Sequence, residues 1–525
     1  MNKKQITIYD TTLRDGSQSE GITFTVEDKL LIAEKLDWLG IHYIEAGWPG
    51  ASPKDTEFFE RASKELKLKK ARLSAFGSTR KAGHMPPQDK VLNDLLASKA
   101  QTICIFGKTW DLHVKQALQI PLPENLVLIE DSIAYLKAYK REVFFDAEHF
   151  FDGYKANKKY ALDSLKAAVR GGADVLVLCD TNGGSLPHEI TRIVSEVRRK
   201  IRTPLGIHCH NDTGTAIANS LAAVLAGATQ VQGTINGIGE RCGNANLCTI
   251  VANLELKMGY KTLGISRFQH LTSVSRFVDE MSNRAPHSQQ PYVGKSAFAH
   301  KGGVHVHAIL KDARTYEHIK PEKVGNTQRI LVSDLSGAST VAHKVQGVAS
   351  LKADDPRVKE LLHQLKEQEN QGYQFEGAEA SFEIFVKKSL GQYKPHFALH
   401  DFKVSDYISE KPTHEPTSEA TIHLSVDGSE EFATAKGVGP VHALDQALRA
   451  ALERFYPQIK EMKLLDYKVR VLPAGEGTAS SVRVLIEFGD GPNKWVTVGV
   501  SENIIHASYQ ALVDGIDYKL LQTTK

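Results

Sequence analysis

Along the first half of the chain, short apolar runs alternate with stretches whose apolar residues recur every three or four positions. "ITIYD" gives way to "VEDKLLIAEKLDWLG", whose apolar residues return at helical spacing until Gly40. Seven more strand-like runs follow: "HYIEAGW", "ARLSAFG", "QTICIFG", "REVFFDAE", "DVLVLCD", "PLGIHCH" and "TQVQGTIN". Eight strand–helix units over about 250 residues predict an α/β chain that begins with a (β/α)8 TIM barrel, residues 1–275. An open doubly wound sheet is the competing arrangement. It ranks second because "GIGERCG" lacks the dinucleotide-loop spacing and "VGKS" has no upstream P-loop glycine.

After about residue 275 the alternation stops. Residues 276–405 read as mostly helical linker subdomains, and "SEKPTHEPTSEA", rich in Pro, Ser, Thr and Glu, reads as an exposed connector. Residues 406–525 carry a duplication. "ATIHLSVDG", "EFATAKGVG" and "PVHALDQALRAAL" form one strand–strand–helix unit; "SVRVLIEFGD", "KWVTVGVS" and "ENIIHASYQALVDGI" form another. Pro440 suits a helix's first turn. Two ββα repeats predict a small α+β domain whose seam is a natural small-ligand site. A dimerisation role is equally compatible.

The polar residues fall at one end of the strands. Asp10, Arg14 and Asp15 follow the first, Glu45 the second, and Asp146 and Glu148 the fifth. Asp180 and Thr181 close the sixth, His208, His210 and Asn211 the seventh, and Thr234 and Asn236 the eighth. In a barrel these ends surround one opening, where TIM-barrel active sites lie. In a strand, His208 and His210 share a face and Cys209 points the other way. An isolated H-x-H reads equally as two polar residues at a strand end. The convergence on one rim favours a pair of metal ligands, a role that neutral imidazole suits. Glu45 reads as structural or catalytic, and Trp48, Phe76 and Phe106 as core or as pocket wall.

Composition narrows the classes. The 525 residues carry a net charge of +3, with 41% hydrophobic and 24% charged positions, which gives no general case for nucleic-acid or acidic-membrane partners. The basic run "KELKLKKAR" reads as a solvated helix face. No apolar run approaches a membrane span, and "MNKKQITIYD" lacks the apolar stretch of a secretory signal. Five scattered cysteines without a C-x-x-C read as reduced thiols of a cytoplasmic protein.

"DTTLRDGSQ", "HCHNDTGTA" and "GERCGNANL", in this order on eight strands, resemble the metal-dependent acyl-CoA condensing enzymes and lyases. That family includes 2-isopropylmalate, homocitrate and citramalate synthases and hydroxymethylglutaryl-CoA lyase. "FAHKGGVHVHA" is similar to the synthases' linker, and "GVGPVHALDQALRAAL" and "DYKVRVL" to their regulatory domain, so the likeness covers nearly the whole chain. The resemblance implies a transferase that converts the acyl group to an alkyl group, with Asp15, His208, His210 and Asn244 as ligands of Mn²⁺, Mg²⁺ or Zn²⁺. It implies acetyl-CoA as cosubstrate and a 2-oxo acid as acceptor. Arg14 would stabilise oxyanion charge, Glu148 would hold the substrate or acetyl group, and Thr181 would bind the oxo acid's carboxylate. His305 would be the proton-abstracting base, with Tyr316 as its partner; many relatives carry Asp at the place of His307. "IEAGWPGASPKD" and "VGKSAFAHKGGVHV" are most similar to the branch that joins acetyl-CoA to pyruvate, ahead of the branch that uses 2-oxoisovalerate. A homodimer and an isoleucine effector at the C-terminal domain are expected. An acyl-CoA lyase is disfavoured by the C-terminal repeats. A metal-dependent hydrolase is disfavoured by an H-x-H on the seventh strand rather than the first.

Overall fold

The computed structural model describes residues 4–331, 337–346, 349, 351–407, 417–472, 480–491 and 493–523. The eight apolar runs become eight parallel strands. The first four are β1 (Thr7–Asp10), β2 (Tyr43–Gly47), β3 (Arg72–Ser78) and β4 (Thr102–Lys108). The others are β5 (Glu142–Glu148), β6 (Val175–Asp180), β7 (Leu205–Cys209) and β8 (Gln230–Gly233). They pair in chain order, and β8 closes onto β1 with Thr7 opposite Gln230 and Asp10 opposite Gly233.

Period-two alternation sorts the side chains. Ile8, Ile103, Phe145, Leu178, Ile207 and Val231 belong to the apolar layer shared with the surrounding helices. Tyr9, Phe76, Cys104 and Phe144 form a smaller cluster of their own, and Glu45, Asp146, His208 and Gln232 are buried polar groups. The helix Val26–Leu39 starts on a reciprocal cap between Thr25 and Asp28, and Gly40 ends it at φ 96°, a left-handed position that suits glycine.

The run "KELKLKKAR" differs from the reading as a helix face. The helix Pro53–Glu65 stops inside it, and β3 starts at Arg72. Between them Asp37 accepts from the backbone N–H groups of Lys69, Lys70 and Ala71 at 2.7–3.0 Å, which spends those donors outside any helix.

The chain divides into two compact units, Met1–Phe298 with Ile319–Thr327 and Ala299–His318 with Gln328–Lys525. The second unit contains helices Gly303–Lys311, Ala338–Val345, Pro356–Asn370 and Glu379–Ser389, then two three-stranded antiparallel sheets. The first sheet orders Ala398–Tyr407, Thr417–Val426 and Ser429–Gly437; the second orders Lys463–Val471, Val482–Gly489 and Lys494–Ser501. The helices Pro440–Leu452 and Ile504–Thr523 share one core with them, including Ile422, Leu448, Ile486 and Leu512. Each ββα unit of the sequence therefore has a leading strand as well. Those strands are mostly exposed and each is broken by a β-bulge, which disrupts the alternation that would mark them. In the connector, Thr417–Ala420 belongs to a strand, and residues 409–416 lie outside the described residues. Among the described residues no helix is long and apolar enough to cross a membrane.

Candidate active site

The turn after β1 carries Arg14 and Asp15 to the mouth of the barrel. Asp15 Oδ2 lies 3.3 Å from His208 Nε2 and 3.9 Å from His210 Nε2. All three side chains are buried and offer donor atoms within 4.8 Å of one another. Burial alone would raise the Asp15 carboxyl, but the Arg14 guanidinium and then His208 hold it well below the usual carboxylate range. Burial works against a charged His208 as well. The hydrogen bond and charge of Asp15 outweigh it and raise the His208 pKa. Burial, reinforced by His208, pushes His210 down to about 3, so His210 is neutral.

His208 is aimed by a relay. Gln232 Nε2 donates to Asp146 Oδ1 at 3.1 Å, which leaves Gln232 Oε1 to accept from His208 Nδ1 at 3.0 Å. With Nδ1 committed to Gln232, Nε2 faces Asp15: it donates to that carboxylate while the ring is protonated and presents a lone pair there once that proton leaves. Burial, then Glu45, pushes Asp146 up to about 6. Sequence reasoning missed Gln232. Its signal was present: Gln230 and Gln232 alternate in a strand as the two histidines do.

Asn244 arrives from the loop after β8, which runs antiparallel to the end of β7 and bridges Asn244 to His210. The loop needs glycine. A Cβ on Gly243, at φ 86°, would lie 2.0 Å from the Gly237 carbonyl oxygen, and one on Gly239 would lie 2.1 Å from Asn244 Nδ2. Asn244 Oδ1 and His210 Nδ1 are buried without a hydrogen-bond partner. A buried polar atom left so costs about 1–3 kcal/mol. A carboxylate, two imidazoles and an amide oxygen are donors that suit a divalent ion.

Around this group is a cavity of about 240 Å³, lined by Arg14, Glu148 and Thr181 as well as Asp15 and both histidines. Arg14 is clamped by Glu45 Oε1 at 2.7 Å, with its guanidinium carbon 3.8 Å from the Phe76 ring centre. The fully buried Glu45 also accepts from the Tyr9 hydroxyl at 2.7 Å, so it positions Arg14 from below. Glu148 pairs with Lys108. Thr181 Oγ1 accepts from the His149 N–H at 2.9 Å. Trp48, Phe76 and Phe106 wall one side, with ring centres 5.5–5.8 Å apart. Cys209 faces away into the apolar layer. The structure thus brings Arg14, Asp15, Glu148, Thr181, His208 and His210 to one cavity, with Asn244 beside His210. His305 and Tyr316 belong to the second unit, stacked on each other at 4.2 Å.

Residues 5–278 match the HMGL-like family, 292–373 the homocitrate synthase post-HMGL domain-like family, and 376–520 the LeuA allosteric (dimerisation) domain. The (R)-citramalate synthase of Geobacter sulfurreducens is 58% identical over 98% of this chain and 97% of its own length. That of Aquifex aeolicus is 53% identical over 99% and 98%. The chain belongs to the (R)-citramalate synthase family. Among solved structures, a Bacillus subtilis HMG-CoA lyase superposes on 55% of this chain and 98% of its own, with a TM-score of 0.47 and 21% identity. The match to the LeuA allosteric (dimerisation) domain runs through both sheets of the second unit, the part in which the bulged leading strands lie.

Proposed function

We propose that this chain condenses acetyl-CoA with pyruvate and hydrolyses the thioester, releasing (R)-citramalate and CoA for isoleucine biosynthesis. The observation that carries the reading is identity to (R)-citramalate synthases along essentially the full chain.

Asp15, His208, His210 and Asn244 would hold Mn²⁺, Mg²⁺ or Zn²⁺. Such an ion supplies Lewis acidity toward the ketone of the oxo acid. The protein's own groups divide the remaining work. Arg14, fixed by Glu45 and the Phe76 face, sets a permanent positive charge beside the place where the ketone oxygen gains negative charge. Thr181 already accepts at Oγ1 from His149, so its own proton is available to the oxo acid's carboxylate. Glu148, paired with Lys108, holds the substrate or the acetyl group. His305, stacked on Tyr316, takes the methyl proton of acetyl-CoA, and the enolate carbon attacks the ketone carbon. Water then cleaves the thioester, which makes the condensation effectively one-way.

The wall of Trp48, Phe76 and Phe106 favours pyruvate's methyl group over an isopropyl side chain, because rejection of the larger group is steric. The C-terminal domain would bind isoleucine and join two copies of the chain. Five free cysteines suit a cytoplasmic enzyme. Incubation with acetyl-CoA, pyruvate and Mn²⁺, followed by chiral chromatography, tests the proposal. (R)-citramalate equimolar with released CoA is expected; CoA without citramalate would contradict it.

A further inference from the structure

The C-terminal unit carries a second group of ligating side chains, on the face of its first sheet opposite the helix Pro440–Leu452. His423 alternates with Ile422 and Leu424, which are buried in the core shared with that helix, so His423 projects from the other face. In the leading strand, Leu399 pairs with Leu424 and Asp401 with His423, which makes His400 the extra residue of a bulge. An unbroken strand would send His400 and Asp401 to opposite faces. The bulge turns both to the same imidazole. The His400 and His423 ring centres are 4.5 Å apart, and Asp401 Oδ2 lies 3.5 Å from His423 Nδ1.

Glu430, from the third strand, completes the group. Its Oε1 is 3.7 Å from His400 Nε2, and its Oε2 touches His423 Nε2. Phe432 stacks on His423 at 4.0 Å and 12° and holds the ring in place. Donor atoms from His400, His423 and Glu430 all lie within 4.8 Å of one another. Ligands about 2.0–2.1 Å from a tetrahedral Zn²⁺ stand about 3.4 Å apart, so rotation of these solvent-accessible side chains closes the set.

We propose that His400, His423 and Glu430 form a divalent transition-metal site of zinc type, separate from the barrel site. Asp401 holds His423 through its other nitrogen, the carboxylate–histidine–metal arrangement that orients a ligand and raises its basicity. Two imidazoles select Zn²⁺, Co²⁺ or Ni²⁺ over Mg²⁺ and Ca²⁺. The ion would tie the edge strand Ala398–Tyr407 to the hairpin formed by the other two strands.

The second repeat is an internal control. It has the same bulge, with Leu464 opposite Phe488 and Asp466 opposite Glu487. Leu465 therefore stands in the place of His400, Glu487 in that of His423, and Lys494 in that of Glu430. There the polar pair is satisfied by the chain's own cation, with Lys494 3.5 Å from Glu487. The bulge belongs to the repeat; the imidazoles belong to the first copy alone.

The test titrates the full chain, stripped of metal by a chelator, with Zn²⁺ against a chromophoric competitor and with Co²⁺ by visible absorption. Two Zn²⁺ per chain are expected. H208A should lose the barrel ion and keep the second, whereas H423A should keep the barrel ion and lose the second. H400A and E430Q should each weaken the second ion at least tenfold. Mn²⁺-supported CoA release by H423A, H400A and E430Q checks that these variants are folded. One Zn²⁺ per wild-type chain that H208A abolishes, or two unweakened ions in H423A, would overturn the proposal. Because H208A reports on the barrel site separately, that outcome leaves the barrel reading standing.

Discussion

His208 and Asp146 are joined through a single amide: Gln232 accepts from the imidazole at 3.0 Å and donates to the carboxylate at 3.1 Å. The relay keeps a proton on Nδ1, so the proton lost when the ring becomes neutral is the one on Nε2. Replacing the amide by a side chain of similar size strands both His208 Nδ1 and Asp146 Oδ1 in a buried site. Gln232→Leu is expected to weaken metal binding about 10–100-fold, measured by metal titration, with turnover recovering at high metal. His208→Ala or His210→Ala should abolish metal-dependent turnover outright. Unchanged metal affinity in Gln232→Leu would remove the relay from the account.

Proton release separates the two histidines. The raised pKa of His208 keeps it protonated up to and beyond the ordinary 6.5, while His210 stays neutral above about 3. A divalent ion entering the barrel site must therefore displace one proton, from His208, between about pH 4 and 6.5. Apparent affinity should rise about tenfold per pH unit through that window and flatten above the His208 pKa. Titration of the barrel site in weak buffer at pH 6, in an H423A background, should release one proton per ion. Two protons per ion would contradict the neutral His210.

The proposed acceptor pocket has an aromatic wall. Trp48 meets Phe76 and Phe106 edge-on, with ring centres 5.8 and 5.7 Å away. Trp48→Ala should open room for a branched side chain. The ratio of kcat/KM for 2-oxoisovalerate to that for pyruvate should rise about tenfold or more, in line with about 1–3 kcal/mol per methylene. A ratio unmoved by the substitution would place the wall outside the acceptor pocket.

Isoleucine should inhibit the full chain, and leucine should do so at least tenfold more weakly. Coupling between distant sites is typically about 1–3 kcal/mol, so saturating isoleucine should shift the apparent affinity for a substrate about 5–150-fold. Inhibition assays with both amino acids decide it. Equal responses would detach the C-terminal domain from isoleucine.

The barrel was legible because its strands obey one simple rule. Outward positions such as Ile103, Ile207 and Val231 are apolar, and the chemistry gathers at the strand ends. His208 and His210 stand out as two imidazoles on one face of a single apolar run, and Asp15 by its place just after the end of the first. Gln232 carries no charge; its alternation with Gln230 sets it on one face of its strand, and the folded contacts with Asp146 and His208 give it a part. The leading strand Ala398–Tyr407 was invisible for a different reason. The extra residue His400 shifts the register, and most of the strand is exposed, so no clean alternation marks it. The run after Glu65 misled because lysine favours helices, while Asp37, far away in sequence, captures its backbone donors.

The most direct measurement is CoA release, followed with a thiol-reactive dye, in the presence of Mn²⁺ and acetyl-CoA. The acceptors are pyruvate, 2-oxobutyrate, 2-oxoisovalerate, glyoxylate and 2-oxoglutarate. Pyruvate is expected to give the highest kcat/KM, with turnover lost on chelation and restored by added metal. A preference for 2-oxoisovalerate would contradict the substrate assignment, and silence on every oxo acid with metal bound would contradict the condensation itself.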